Sequence, residues 1–292
     1  MGTPAQGALA KLAMDSVLPF DTSSEPFEFL SESVRMVQSH VNTQGVRGTR
    51  SRFAHRTRIA SEQITGSITM QPSVAEIDRL LPRILGGSTA GGVTALAETV
   101  PEFQLMVDRI TKVFTYAGCR IGRCVISGAS GQPIQFVLDI EGETESVGNA
   151  GTFPAITIDT QQMFVFSDLA LTLDGTAREV QSFALTIDNM LQSDRYMNSV
   201  TRSEIPAMDR AISLECVLPY TTDEDDLYDL AVAGIDGSLV LADGTTTYTV
   251  DFGNLKAPAN SPVVTGKTEI TLSLAFDVYK TGTTNEVIFT KT

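Results

Sequence analysis

The sequence predicts a mainly β protein made of two tandem sandwich-like or barrel-like modules, each with one flanking α-helix, plus extended arms and loops. Runs of alternating apolar and polar residues dominate it, as in antiparallel strands with one buried face. Helical periodicity is clear in only two places. The order strand, helix, strand pair occurs twice, with corresponding elements roughly 135–150 residues apart, which predicts an internal duplication.

Alternation is clearest in the second half of the chain, in the segments 169–173, 182–188, 211–219 and 270–279. Within 182–188 the large apolar residues occupy every second position, and their neighbours are small or polar. In the first half, residues 112–116 and 120–127 are predicted as two further strands. A Gly-rich turn then leads into a strand over 134–143, and residues 64–72 form the strand before the first helix.

The two helices are predicted from their end signals. Ser73 and Glu76 have the spacing of a capping box, and Gly86 follows the last turn. The second helix is predicted over residues 222–233. It has a Thr cap and four acidic residues in its first turn, where the helix dipole favours negative charge, and Gly234 at its end.

Element order and a polar, Gly-bearing segment after residue 145 give the predicted domain boundaries. We expect the two arms and the arginine-rich loop 45–58 to become ordered only in an assembly. The predicted parts are an N-terminal arm (1–24), a first module (25–145), a linker (146–160), a second module (161–280) and a C-terminal arm (281–292).

The chain has 292 residues and a formal net charge of −14. That charge argues against wrapping nucleic acid, which requires Lys and Arg. It permits an acidic wall along which a duplex slides without sticking, although a solvated acidic surface is the ordinary alternative. No apolar run is long enough to span a membrane, and the N-terminus lacks a signal-peptide pattern. We therefore expect a protein made in the cytoplasm, with no membrane partner.

The sequence predicts no catalytic, cofactor or metal site. The cysteines, Cys119, Cys124 and Cys216, have neither the number nor the spacing of a disulfide framework or zinc site, so we expect three reduced thiols. Common catalytic motifs are absent. The Gly-rich stretch 86–92 follows a helix and lacks the Lys of a phosphate-binding loop, which favours a mobile loop.

A basic loop over residues 45–58 reverses the local charge of this acidic chain. One hypothesis is contact with nucleic acid, another is a solvated loop. The favoured hypothesis is binding to an acidic face of another copy, a contact that can propagate into rings or filaments. The candidate contact residues are Arg47, Arg50, Arg52, Arg56 and Arg58.

The polar faces of the predicted strands meet bulk water in a monomer. In a barrel made from many subunits, the same faces could line a wide aqueous channel. The candidate channel-lining residues are Gln135, Asp139, Glu141, Glu143, Thr271, Ser273 and Asp277.

Three stretches resemble the tail tube (major tail) proteins of long-tailed, non-contractile bacteriophages: the opening 25–29, the run from 58–68 through 84–87, and 164–169 leading to Asn189. The resemblance covers most of residues 20–280. It implies a structural virion protein whose copies join edge to edge into rings with a continuous inner β-barrel. Such rings stack into the tube through which the genome leaves, and loops and arms join one ring to the next.

The resemblance also implies partners: further copies of the chain, the tape-measure protein, and tail terminator and tip proteins. Double-stranded DNA would pass without specific binding, and the family has no catalytic residues to transfer. Most members carry one module and form hexamers. Two modules per chain therefore imply a trimeric pseudo-hexameric ring, with a true hexamer as the alternative.

Other functions remain open at this stage. A tube subunit of a contractile injection or secretion system has the same physical requirements. A carbohydrate-binding or adhesin sandwich would usually present aromatic residues for sugar stacking, but the chain has no Trp and six Tyr. An enzyme is the least favoured class.

Overall fold

The computed structural model describes residues 5–42, 44–46, 48–157, 161–221, 225–264, 266–282 and 284–292, with the backbone alone for residues 225 and 226. The predicted mainly β class with two α-helices is confirmed, with 51% strand and 10% helix. The helices are α1 (Val74–Leu85) and α2 (Asp225–Ala233).

Eighteen antiparallel strands are described. They are β1 (Lys11–Asp15), β2 (Glu25–Phe27), β3 (Ser31–Glu32), β4 (Arg35–Asn42), β5 (Thr57–Met70), β6 (Val93–Ala95), β7 (Phe103–Asp108), β8 (Lys112–Ala129), β9 (Gln135–Gly142), β10 (Thr144–Asn149), β11 (Leu169–Leu173), β12 (Thr176–Arg178), β13 (Ser182–Asp188), β14 (Ala211–Pro219), β15 (Ile235–Ala242), β16 (Thr247–Lys256), β17 (Thr271–Tyr279) and β18 (Val287–Lys291).

Strands β11, β13 and β14 begin and end at the predicted residues, because each has one apolar face that the core buries. In β13 the side chains of Phe183, Leu185 and Ile187 are buried and the residues between them are partly exposed. One hydrophobic cluster extends through both halves of the chain.

The predicted capping box begins α1. Ser73 Oγ accepts from the Glu76 N–H at 3.3 Å, and Glu76 Oε2 accepts from the Ser73 N–H at 2.9 Å. Glu76 Oε1 also accepts from the Glu28 N–H at 2.6 Å, although burial raises the pKa of the Glu76 carboxyl. Gly86 ends the helix at φ 85°, as predicted. The predicted cap of α2, at residues 222–224, lies outside the described residues.

The strands of the two halves pair in the same order. In the first half the order of neighbours is β2, β1, β7, β8, β9, β5, β4, and β10 also pairs with β8. In the second half it is β12, β11, β15, β16, β17, β14, β13, and β18 also pairs with β16. A helix follows the same strand in each half, β5 or β14.

The prediction of separate strands at 112–116 and 120–127 is wrong, because the structure joins them in the 18-residue strand β8. Gly118 at φ 66° makes the joint, and a Cβ there would lie 2.6 Å from the Glu143 side chain. The first part of β8 pairs with β7 and β10, and the second part with β9 and β13. Strand β8 therefore joins the two halves of the chain.

Parts of both predicted arms belong to the folded chain. Strand β1 pairs with β2 and β7, and β18 pairs with β16 and β6. Their apolar side chains, among them Leu12, Met14, Val287 and Phe289, are buried in the core. The expectation that the arms order only in an assembly is therefore wrong for these strands. The predicted linker likewise begins within β10.

All three cysteines are free and buried. Burial raises the pKa of the Cys119 and Cys124 thiols far above their ordinary value and that of Cys216 to about 12. Among the described helices, neither has the length and apolar character needed to cross a membrane.

The loop 189–210 of the second half packs against the first half through Arg202, whose side chain is only 2% exposed. Arg202 donates to Glu141 Oε2 at 2.5 Å and to Gln63 Oε1 at 2.8 Å. It also donates to the carbonyls of Ile64 and Gly142, both at 3.3 Å. The guanidinium thus connects the loop to β5 and β9.

We expect Arg202→Ala to lower the free energy of unfolding by about 2–4 kcal/mol, because it leaves a partly buried carboxylate and several acceptors without their donor. Chemical denaturation of the monomer measures the loss, and limited proteolysis should find the 189–210 loop cleaved faster. Arg195→Ala is the matched control. Its pair with Glu204 in the same loop is 35% and 50% exposed, so its loss should cost about 0–1 kcal/mol. Equal losses in the two variants would contradict the role of Arg202.

Candidate functional site

Seven strands form a continuous sheet in the order β4, β5, β9, β8, β13, β14, β17. One face of this sheet packs on the hydrophobic core, and the other face is polar. Residues directly opposite each other in an antiparallel ladder project from the same face. Asp139 lies opposite Arg123, and Arg123 lies opposite Asp188, so this polar face continues across the junction of the two halves.

The structure brings the predicted channel-lining residues of the two halves onto this one face. Gln135, Asp139 and Glu141 occupy alternate positions of β9, and Thr271, Ser273 and Asp277 occupy alternate positions of β17. Asp277 on β17 lies opposite Ser213, which lies opposite Thr186 on β13. Asp188, two residues after Thr186, is on the same face of β13. Asp188 lies opposite Arg123, which lies opposite Asp139 on β9, so Asp277 and Asp139 share one face.

Two predicted channel-lining residues have local partners instead. The carboxylate of Glu141 is paired with the buried Arg202, so its charge is compensated within the chain. Glu143 follows the end of β9, and its N–H donates to the Ala117 carbonyl at 3.0 Å. Burial raises the pKa of the Glu143 carboxyl, and the nearby Glu102 adds to that rise. Neither residue is a freely exposed carboxylate of the polar face.

The charged residues on this face include five acids, Asp139, Glu141, Asp188, Glu215 and Asp277, and three arginines, Arg35, Arg120 and Arg123. Burial raises the pKa of the Asp139 carboxyl, whereas the neighbouring Arg123 lowers it. The prediction missed Arg123, Asp188 and Glu215, although alternation along β13 and β14 carried the signal for the two acids. Arg202 was missed because nothing in a loop sequence indicates a partner on a strand 61 residues away.

The arginine hairpin comprises the ends of β4 and β5 (37–42 and 57–63) and the loop between them, and it extends beyond the end of β9. Strand β9 ends opposite Ile64, so residues 57–63 pair with β4 alone among the strands, over about 20 Å. Arg50, Arg52, Arg56 and Arg58 are all exposed on it, and Arg47 lies outside the described residues. The described residues of the predicted basic loop therefore lie beyond the end of β9 and are exposed.

Within the part of the chain that the structure describes, no group of three or more His, Cys, Asp or Glu side chains is placed to hold a metal ion. Among the described residues, the notable surfaces are the polar sheet face, the two edges of the seven-stranded sheet, and the arginine hairpin. These are surfaces suited to contact between copies.

Comparison with known proteins agrees with these features. The family model described as phage tail tube protein matches residues 7–278, which is nearly the whole chain. A search of curated proteins gives no match. The matched range includes the seven-stranded sheet except its last residue, Tyr279, together with both helices and the arginine hairpin. The chain therefore belongs to the phage tail tube protein family, a family of structural components of the virion tail.

Proposed function

We propose that the chain polymerises into stacked rings that form the hollow tail tube through which the phage genome passes. The observation that carries this proposal is the seven-stranded sheet with an edge strand at each end. Among the described residues, β4 pairs with β5 alone, and the stretch 271–276 of β17 has a strand partner on one side only. A sheet with two such edges and one polar face is suited to closing into a barrel with further copies.

Each chain supplies two modules in this proposal. The shared order of strand pairs in the two halves, and the helix after the corresponding strand, support an internal duplication. Strand β8 joins the modules edge to edge through β13. Three chains would then provide six modules, which gives a trimeric pseudo-hexameric ring. A ring of six chains is the alternative.

The polar face would line the channel. Asp139, Asp188, Glu215 and Asp277 place carboxylates on it, and Arg35, Arg120 and Arg123 share the face. With acids in excess over arginines, such a surface offers phosphates no strong attraction, so a duplex can move past without being held. The uncharged Gln135, Thr271 and Ser273 add hydrogen-bonding groups that water can satisfy.

The arginine hairpin would join one ring to the next. Its length and exposure let it reach a neighbouring copy, and the net charge of −14 provides acidic surfaces for it to meet. The tape-measure protein and the terminator and tip proteins of the tail are the further partners that the family suggests.

The proposed function predicts that purified protein at high concentration forms rings or hollow tubes in negative-stain electron microscopy. Side-chain contacts between acidic and basic surfaces should make assembly sensitive to salt, so a range of salt concentrations belongs in the test. A chain that stays monomeric under all of these conditions, also with tail initiator proteins present, would refute the proposal.

Replacing Arg50, Arg52 and Arg56 by Glu should block the stacking of rings while the chain remains folded, because none of the described residues of the hairpin tip is buried. Electron microscopy should show single rings in place of tubes, and circular dichroism should be unchanged. The matched control replaces the same residues by Lys, which keeps the charge and should retain much of the stacking. Unchanged tubes in the Glu variant would remove the hairpin from the contact.

A further inference from the structure

We propose that the segment 257–264 becomes a strand on assembly, inserted between β17 of its own chain and the outer edge of β4 in the next copy. This inference rests on the proposed function, since it names the contact that closes the ring. The partner is a second copy of the chain. The junction that already exists inside the chain, between β8 and β13, is the template for the junction between chains.

The internal junction is a ladder of seven residue pairs between the second part of β8 and β13, from Ser182 opposite Ala129 to Asp188 opposite Arg123. In this stretch β8 has strand partners on both sides, β9 and β13. Its counterpart in the second half would be a continuation of β16 beyond Lys256. In the single chain that continuation has no regular secondary structure up to residue 264.

The register between copies follows from two equivalent rows of opposite residues. One row, in the first half, is Arg35, Thr65, Glu141, Arg120, and the other, in the second half, is Thr186, Ser213, Asp277, Lys256. Arg35 and Thr186 are the first residues of the two rows, on the equivalent strands β4 and β13, so they occupy equivalent positions. Across the internal junction Thr186 faces Val125, five residues after Arg120. The residue five positions after Lys256 is Ser261, which should face Arg35 of the next copy.

The single chain already holds this segment close to the required position. Val125 faces Val137 on β9, and the residue of β17 that corresponds to Val137 is Ser273. Asn260 Nδ2 donates to the Ser273 carbonyl at 3.1 Å, so the segment lies beside the open edge of β17 within one residue of the inferred register. The step to a strand needs a small local rearrangement and a partner on the other side.

Exposure supports the same contact. Val263 and Val264 in the segment are 69% and 70% exposed, high values for neighbouring apolar side chains. On β17, Ser273 and Asp277 are exposed, whereas Asp139 and Glu141 of β9 are partly covered. The segment, once it is a strand, would cover the edge of β17, and β4 of the next copy would in turn cover the segment.

Pro262 is compatible with this placement. It would face Val34, the residue before β4 that corresponds to Leu185. The Val34 carbonyl already accepts from Arg109 Nη2 at 2.5 Å and from Tyr116 Oη at 2.9 Å, and the Val34 N–H donates to Glu32 at 3.1 Å. A residue without an N–H therefore loses no hydrogen bond at this position.

The contact joins two different edges, one at each end of the sheet. Such a heterologous contact closes into a ring when the rotation per copy divides a full turn. Each copy would contribute eight strands to the barrel, seven present in the single chain and one formed on assembly.

Cysteine cross-linking of the full-length chain tests the register. The variant Ser261→Cys with Arg35→Cys should form disulfides between copies in assembled rings, seen as covalent two-chain and three-chain species on a non-reducing gel. The two positions lie at opposite edges of a seven-stranded sheet, so a cross-link must join different chains. The native thiols are buried and do not compete.

The matched control is Ser261→Cys with Ser39→Cys. It shifts the pair by four residues, about 13 Å along the strand, beyond the Cα separation of about 7 Å that a disulfide tolerates. We expect at least roughly tenfold less cross-linking from it, because only rare excursions bring those positions together. Val125→Cys with Thr186→Cys provides the benchmark, since that equivalent pair already exists inside the chain. If the 261/35 variant assembles poorly alone, copolymers with wild-type chains retain the readout.

The outcomes separate the two proposals. Rings or tubes in which the benchmark pair forms but the 261/35 pair does not would overturn this interface and leave the tube function standing. A wild-type chain that never assembles would overturn the function, and the interface with it. Covalent species that extend to six chains in one ring would support the interface and replace the trimer by the hexamer.

Discussion

Two-sided backbone pairing along β8 is the constraint on which this structure depends. Buried N–H and C=O groups must find partners, and a strand in the middle of a sheet finds them only in neighbouring strands. Strand β8 pairs with β7 and β10, then bends at Gly118 and pairs with β9 and β13. The two halves of the chain therefore share one sheet instead of meeting as separate domains, and the polar face continues from one half to the other.

The elements whose form depends on local sequence patterns were the ones predicted most reliably. The one-sided strands β11, β13 and β14 matched in both bounds, because a period of two identifies a strand with one buried face. The capping box of α1 matched for a similar reason. Pairing partners and the continuity of β8 could not be predicted, since a Gly within a strand and a Gly in a turn have the same local signature. The contact of Arg202 with Glu141 depends on the assembled sheet and has no local signal at all.

Charge on this acidic chain divides into compensated and uncompensated parts. Several carboxylates have partners within the chain, among them Glu25 with Arg83, Glu32 with Arg109, Asp78 with Lys291, and Glu141 with Arg202. These pairs connect segments distant in sequence and take basic residues out of the surface charge. The remainder is distributed unevenly, with acids in excess over arginines along the polar face and arginines at the tip of the hairpin. A net charge counted from the sequence does not describe this distribution.

The burial of Cys119, Cys124 and Cys216 has a consequence for the life of a virion outside the cell. Thiolate is the species that reacts with oxidants and with other thiols, and burial suppresses its formation at all three sites. The covalent structure of the subunit is then the same in a reducing cell interior and in aerated surroundings. A particle built from such subunits undergoes no thiol chemistry at these three sites during that change.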